Sequence, residues 1–519
     1  MTEILCGIML VAFFVVMIGV GFYSRKHATN VSGFVLGGRS VGPWLTAFAF
    51  GTSYFSAVIF VGYAGQFGWN FGLASTWAGL GNAFIGSLLA WNVLGRRTRI
   101  MTQYLDAKTM PDFFGKRFNS VPLKVAASVI VFIFLIPYTA SLYNGLSSLF
   151  GLVFDIPYWV VILVMAILTG FYVIFGGYMA TAINDFIQGI IMLFGIVMVI
   201  GSVLADNGGL LQAMKSLAAV EGDAGWAGAY SSFLGPNPTF LFFVVMLTSL
   251  GTWGLPQMVG KFYAIKNEDS IKKGTVISTL FAIIVAGGCY FLGGFGRLYD
   301  IDVQAEGFDA VIPAMLSTLS PIVIGIVIVL VLSASMSTLS SLVLTSGSTI
   351  TLDFIEPLSK KKMEEKKKML IMRLFIVVFV IISAAIAIFQ AKSKNMFIAQ
   401  MMGVSWGALA GAFLAPFLYG LYYKKTTKAA VAVSFVYGVG LEIIQLLVSL
   451  KLIDVSGIPV IGFVFTNSLY SGVFAMVGGL IIVPIVSLLT KKSIPENTES
   501  MFECYNTTKT VEITDSLGK

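Results

Sequence analysis

Ser333-Ala334-Ser335-Met336-Ser337-Thr338-Leu339-Ser340-Ser341 lies inside an apolar stretch, 320–350, that contains no charged residue. A run of about 20 apolar residues is what a helix needs to cross the ~30 Å hydrocarbon core of a bilayer. Hydroxyls inside such a run cost free energy unless they face protein, water or a ligand. Positions 334, 337, 338 and 341 follow i, i+3, i+4, i+7 and share one helix face, so the hydroxyls of Ser337, Thr338 and Ser341 line one site. Neutral oxygens of this kind suit a hard cation such as sodium, which needs several of them to replace its hydration shell. The alternative is that each hydroxyl bonds back to a carbonyl one turn earlier.

The rest of the chain fits a membrane setting. Of its 519 residues 57% are hydrophobic and 11% charged, against about a quarter charged in an average soluble domain. Thirteen apolar stretches are expected to span, near 4–23, 43–67, 72–95, 122–150, 157–177, 179–205, 237–262, 274–298, 320–350, 369–391, 396–423, 428–450 and 463–489. The first is read as a retained helix, since no basic segment precedes it. Three scattered cysteines and the single His27 exclude a disulfide framework and a histidine metal cluster.

The net charge of +8 reports topology. If the first span runs inward, twenty-eight of the 33 Lys and Arg residues lie on the cytoplasmic side. The other five are Lys215, Arg297, Lys392, Lys394 and Lys451. That split predicts an outside N-terminus and an inside C-terminus, and it removes the case for nucleic-acid binding. The Lys-rich run 360–368 is a solvated loop or a contact with anionic lipid. Outward connections are acidic, and 309–319, with Val311, Ile312, Met315 and Leu319, reads as a short amphipathic surface helix.

Three further places break the rules for a lipid-spanning segment. Gly51-Thr52-Ser53-Tyr54-Phe55-Ser56 in the second stretch suits a helix that unwinds to free carbonyls, or a small-residue packing face. The seventh holds Thr248, Ser249, Gly251, Thr252, Trp253, Gly254, Pro256 and Gln257, which suits a second break or a plain proline kink. Two interrupted spans in corresponding places are the mark of an inverted-repeat transporter. In the sixth, Asp185 follows Asn184 and precedes Gln188, an intramembrane carboxylate that defaults to a functional role.

Phe34-Val35-Leu36-Gly37-Gly38-Arg39-Ser40 with Gly42-Pro43, the Gly176-Gly177 pair before Asn184-Asp185 and Gln188, and Ala334 to Ser341 together resemble the solute:sodium symporter family over about residues 5–490. The resemblance implies an all-α polytopic membrane protein with a LeuT-like 5+5 inverted repeat. Its parts would be an extra N-terminal helix and loop (1–42), a first repeat (43–205), an extracellular connection (206–236), a second repeat (237–423), two additional helices (424–492) and a disordered cytoplasmic tail (493–519).

Carried over residue by residue, the resemblance implies a sodium site from the carbonyls of Thr52, Phe55 and Ala334 and the hydroxyls of Ser337 and Thr338. A second sodium site, found in some members, matches Asp185, Ser337, Ser340 and Ser341. The solute pocket is expected near Ser53, Tyr54, Ser56, Tyr138, Tyr143, Thr252, Trp253 and Gln400. Proline symporters share Trp406 but carry an aspartate where Tyr54 stands. The function implied is sodium-coupled import of a small polar solute, of amino-acid or carboxylate class, across the cell membrane. A proton-coupled carrier, with Asp185 as the protonatable group, and a sugar symporter are the alternatives. No catalytic residue is expected, since one loop histidine and no clustered acids leave nothing to build an active site from.

Overall fold

A computed structural model describes residues 2–53, 55–150, 154, 156–359, 363–393, 398–455 and 457–506. Tyr54, Lys360 to Lys362, Lys394 and the chain beyond 506 lie outside the described residues.

The long helices are α1 (Thr2–Ser24), α2 (Pro43–Thr52), α3 (Val58–Tyr104), α4 (Val121–Phe150), α5 (Tyr158–Asp206), α6 (Pro238–Leu250), α7 (Pro256–Tyr263), α8 (Glu268–Leu298), α9 (Pro321–Leu358), α10 (Glu365–Ser393), α11 (Ile398–Tyr422), α12 (Lys428–Ser449) and α13 (Ser468–Leu489). Among the described residues the extended structure amounts to one isolated bridge, Val41 to Ile265. Among the described residues ten helices are long and apolar enough to cross a membrane, or eleven when α6 and α7, bent by 46° at their junction, count as one span.

That count differs from thirteen because two expected pairs run on as single elements. The 49 residues of α5 would reach about 74 Å at 1.5 Å per residue, more than twice the hydrocarbon thickness. The helix turns instead at Gly177, whose φ of 53° and ψ of −146° are open to glycine and strained for any other residue. Likewise α3 runs for 47 residues, through a left-handed Gly72 and several widened π turns.

The packing arranges these elements around α9. It lies against α5, α4 and α1, while α11, α12 and α13 form a separate three-helix layer joined to α4 through α11. On the face that carries most of the basic residues, Gly37, Gly38 and Arg39 take positive φ in succession. This turn buries the Arg39 guanidinium, which donates to the carbonyls of Tyr263 (3.1 Å), Thr102 (3.2 Å) and Ala107 (2.7 Å). Burial pushes it down to about 10, still charged at neutral pH. Arg39 thereby ties the ends of α7 and α3 together.

The surface helix expected over 309–319 is observed as Val311–Ser317, with Val311, Ile312, Met315 and Leu319 all buried. The tail needs a correction over its first part. Residues 493–506 are folded: Thr498–Glu503 is helical, Met501 and Phe502 are buried, and Lys424 meets Glu499 at 2.5 Å. Polar composition hid the pairing of Phe502 and Tyr505 with the guanidinium groups of Arg117 and Arg97, which lie 5.1 and 4.5 Å from the respective ring centres.

Candidate functional site

The chain between α2 and α3 is the first break. Helix α2 ends at Thr52, and α3 begins at Val58. A helix start leaves orphan backbone donors that need acceptors. Here the Ala57 N–H donates to the Ser335 hydroxyl of α9 (3.1 Å) and the Val58 N–H to the Ser56 hydroxyl (3.2 Å). The carbonyls at the end of α2 are freed in turn, and they point at α9.

The Thr338 hydroxyl lies 3.1 Å from the Thr52 carbonyl, 3.2 Å from that of Phe55 and 3.2 Å from that of Ala334. The Ser337 hydroxyl lies 3.0 Å from the Thr52 carbonyl and 2.8 Å from that of Ala334. All five residues are buried. Three carbonyl and two hydroxyl oxygens from segments some 280 residues apart therefore converge on one point, with no formal charge of their own. Back-bonding within α9 is realised as well, by Ser337 to Ala334 and by Ser340 to Ser337 (2.8 Å).

The second expected set is arranged differently. Ser341 does not join Ser337 and Thr338. Its hydroxyl meets that of Ser53 at 3.0 Å and accepts from the Lys261 ammonium at 2.9 Å. The same ammonium lies 3.5 Å from the Asp185 carboxylate. Both side chains are buried, 4% and 0% exposed. In sequence Lys261 counts with the other basic residues of the cytoplasmic side. Its place one turn after Gln257 on α7 was the available signal, because that spacing puts both on one helix face.

The second break separates α6 from α7 by the tight turn Gly251–Gly254. Leu255 is extended (φ −84°, ψ 120°) because the ring of Pro256 disfavours a helical residue before it. Thr252 and Trp253, expected in the solute pocket, both bond to α3: the indole N–H donates to the Ile85 carbonyl (3.0 Å) and the Thr252 hydroxyl to the Gly86 carbonyl (3.3 Å), as well as to that of Ser249 in α6 (2.9 Å). Both α3 acceptors, Ile85 and Gly86, lie in the π-helical segment Asn82–Leu89.

Of the other expected pocket residues, Ser53 faces Ser341, and Gln400 sits in the first turns of α11 with its carbonyl 3.4 Å from the Ser468 hydroxyl. Tyr138 and Tyr143 are fully buried on α4. The Tyr143 hydroxyl has no hydrogen-bond partner among the described residues. Trp406 joins them: its ring meets Tyr138 edge-on at 6.0 Å, and Gly251 of the second break packs against it. Ser56, Tyr138 and Trp406 thus gather beside the first break, with Tyr143 buried further along α4.

The family model described as Sodium:solute symporter family matches residues 34–438. Sodium/proline symporters of Staphylococcus aureus strains bovine RF122 / ET3-1 and JH9 are each 30% identical over 502 residues, covering 93% of this chain and 93% of their own length. Among solved structures, a Na+-coupled sialic acid symporter in a substrate-bound outward-open state superposes with a TM-score of 0.73 at 17% identity, over 93% of this chain and 98% of that one. The fold is therefore shared at low identity.

Proposed function

The chain belongs to the sodium:solute symporter family, and from that premise we propose a mechanism for a multi-pass plasma-membrane protein that moves a small organic solute with sodium. Sodium binds where the Thr52, Phe55 and Ala334 carbonyls meet the Ser337 and Thr338 hydroxyls. That convergence is the single observation that carries the reading. The hydroxyls now donate to the carbonyls; with the cation present they rotate and offer lone pairs, completing a neutral five-oxygen cage. The cage spans the break between α2 and α3 on one side and α9 on the other, so its occupancy holds the two together.

The proposed architecture has residues 43–205 and 237–423 as inverted repeats, each with its own interrupted helix, and the N-terminus outside. The solute binds against Ser56, Tyr138, Tyr143 and Trp406, beside the cage. Backbone amides at the break and these hydroxyls suit a small amino acid or carboxylate, with proline the first compound to try given the relatives' names. Sodium entering from outside favours the state that completes the pocket, and by reciprocity solute raises sodium affinity equally. One charge through 100 mV supplies ~2.3 kcal/mol and a tenfold gradient ~1.4 kcal/mol, together enough for roughly 500-fold accumulation per ion.

The test is uptake of amino acids, carboxylates and sugars into proteoliposomes under an imposed sodium or choline gradient. Sodium-driven accumulation of one small polar class is expected, and it should disappear in the Ser337→Ala, Thr338→Ala double variant. Equal uptake in choline, or a double variant that keeps its cation requirement, would sink the proposal.

A further inference from the structure

The Lys261 ammonium stands among the residues that match the second sodium site of some family members. It reaches the Ser341 hydroxyl at 2.9 Å and the Asp185 carboxylate at 3.5 Å, and the Tyr178 ring centre lies 5.2 Å away. Ser337 and Ser340, the other two residues of that set, turn their hydroxyls to backbone carbonyls. One carboxylate is thus shared with one cation that the chain itself supplies.

We propose that Lys261 is a tethered cation that takes the place of the second sodium, so that this chain binds a single sodium ion, at the carbonyl and hydroxyl cage. This rests on the sodium-symport reading above. A sodium ion entering between Asp185 and Ser341 would meet a fixed ammonium at contact distance, and among the described residues Asp185 is the one acid paired with that ammonium. The ammonium also already holds Ser341, the ligand the ion would need.

The position of Lys261 gives it a further part. A cavity of about 50 Å³ opens toward the basic face and is lined by Val35, Thr109, Tyr178, Gln257, Lys261 and Ser341 among others. Lys261 is part of its lining, beside Ser341. From there a chain of contacts runs from the ammonium to Ser341, on to the Ser53 hydroxyl at 3.0 Å, and so to the residue next to Thr52, whose carbonyl belongs to the cage. Movement of α7, which carries Lys261, is thereby linked to the grip on the sodium ion at the mouth through which it leaves.

The experiment is equilibrium binding of radioactive sodium to the purified full-length chain, counted per molecule. The unaltered protein is expected to bind one ion, with a Hill coefficient of 1. Lys261→Met leaves Asp185 and Ser341 free to take an ion, and the count should rise to two. Asp185→Asn with Lys261→Met should return it to one. Two ions in the unaltered chain, or one ion in a folded Lys261→Met variant, would overturn the tethered-cation proposal. Should Lys261→Met not fold, the count in the unaltered chain still decides. No sodium bound at all would overturn the symport reading itself, and this inference with it.

Discussion

Thr338 is the residue on which the cation site turns, because its one hydroxyl touches all three carbonyls of the cage. Thr338→Val keeps the branched shape and removes only the oxygen, so packing is preserved while a ligand is lost. An interaction with a charged partner contributes about 1.5–3 kcal/mol, which predicts a rise in the half-saturating sodium concentration of about 10- to 100-fold, read from sodium-dependent uptake. At this scale the sequence was legible where chemistry repeats along one face: Ser337, Thr338 and the glycine-hydroxyl run before Phe55 stood out because lipid does not tolerate them. For Thr252 and Trp253 composition shows the polar cluster but not its partners. Their hydrogen bonds run to carbonyls of the π-helical part of α3, whose position leaves no mark in local composition. Lys261 was hidden because a lysine near a basic loop looks solvated until three dimensions place Asp185 against it.

Helices end where a residue forces them to, and Gly177 is the clearest instance. A Cβ at this position would meet the Phe34 carbonyl and ring at 2.8 Å, on a backbone already at φ 53°. Gly177→Ala is therefore expected to cost about 2 kcal/mol or more and to lower the Tm by a few degrees in detergent. The Gly176-Gly177 pair belongs to the motif that marks the family resemblance, and the structure supplies its reason, a turn between two halves of α5 against the Phe34–Ser40 segment.

The surface helix Val311–Ser317 offers a second prediction at this scale. Asp309, just before it, has one carboxylate oxygen sealed from solvent and the other 3.4 Å from the Ile398 N–H at the start of α11. Burial pushes its carboxyl up to about 6, with the Ile398 N–H acting in the opposite direction. Because the folded value lies above the ordinary one, the contribution to stability is fully present below about pH 4 and is lost as pH rises through about 6. Asp309→Asn keeps an acceptor for Ile398 and removes the titration. Its Tm should therefore stay flat from pH 4 to 8 where the unaltered chain declines, with a gain on the order of 1 kcal/mol at pH 8 once the residue's partial exposure is allowed for. Parallel declines in both proteins would assign the pH dependence to other groups.

For the whole molecule, orientation is set by where the positive charges stay. The gross fold was readable because runs of about 20 apolar residues have few alternatives; hydropathy divides α3 and α5 into two stretches each, where the helix continues through a bend. Orientation rests on a different signal, the concentration of Lys and Arg in alternate connections, while Asp300, Asp302, Glu306 and Asp309 gather in one of the others. Single cysteines placed in a chain from which Cys6, Cys289 and Cys504 have been replaced by serine test it directly. In intact cells an impermeant maleimide should label Asp302→Cys and leave Asp269→Cys and Lys425→Cys untouched, all three residues being exposed. Permeabilised cells should label all three. The reverse pattern would put the basic face outside. The crevice lined by Lys261 would then be an entrance for sodium and not its exit, and the direction of coupled transport proposed here would have to be inverted.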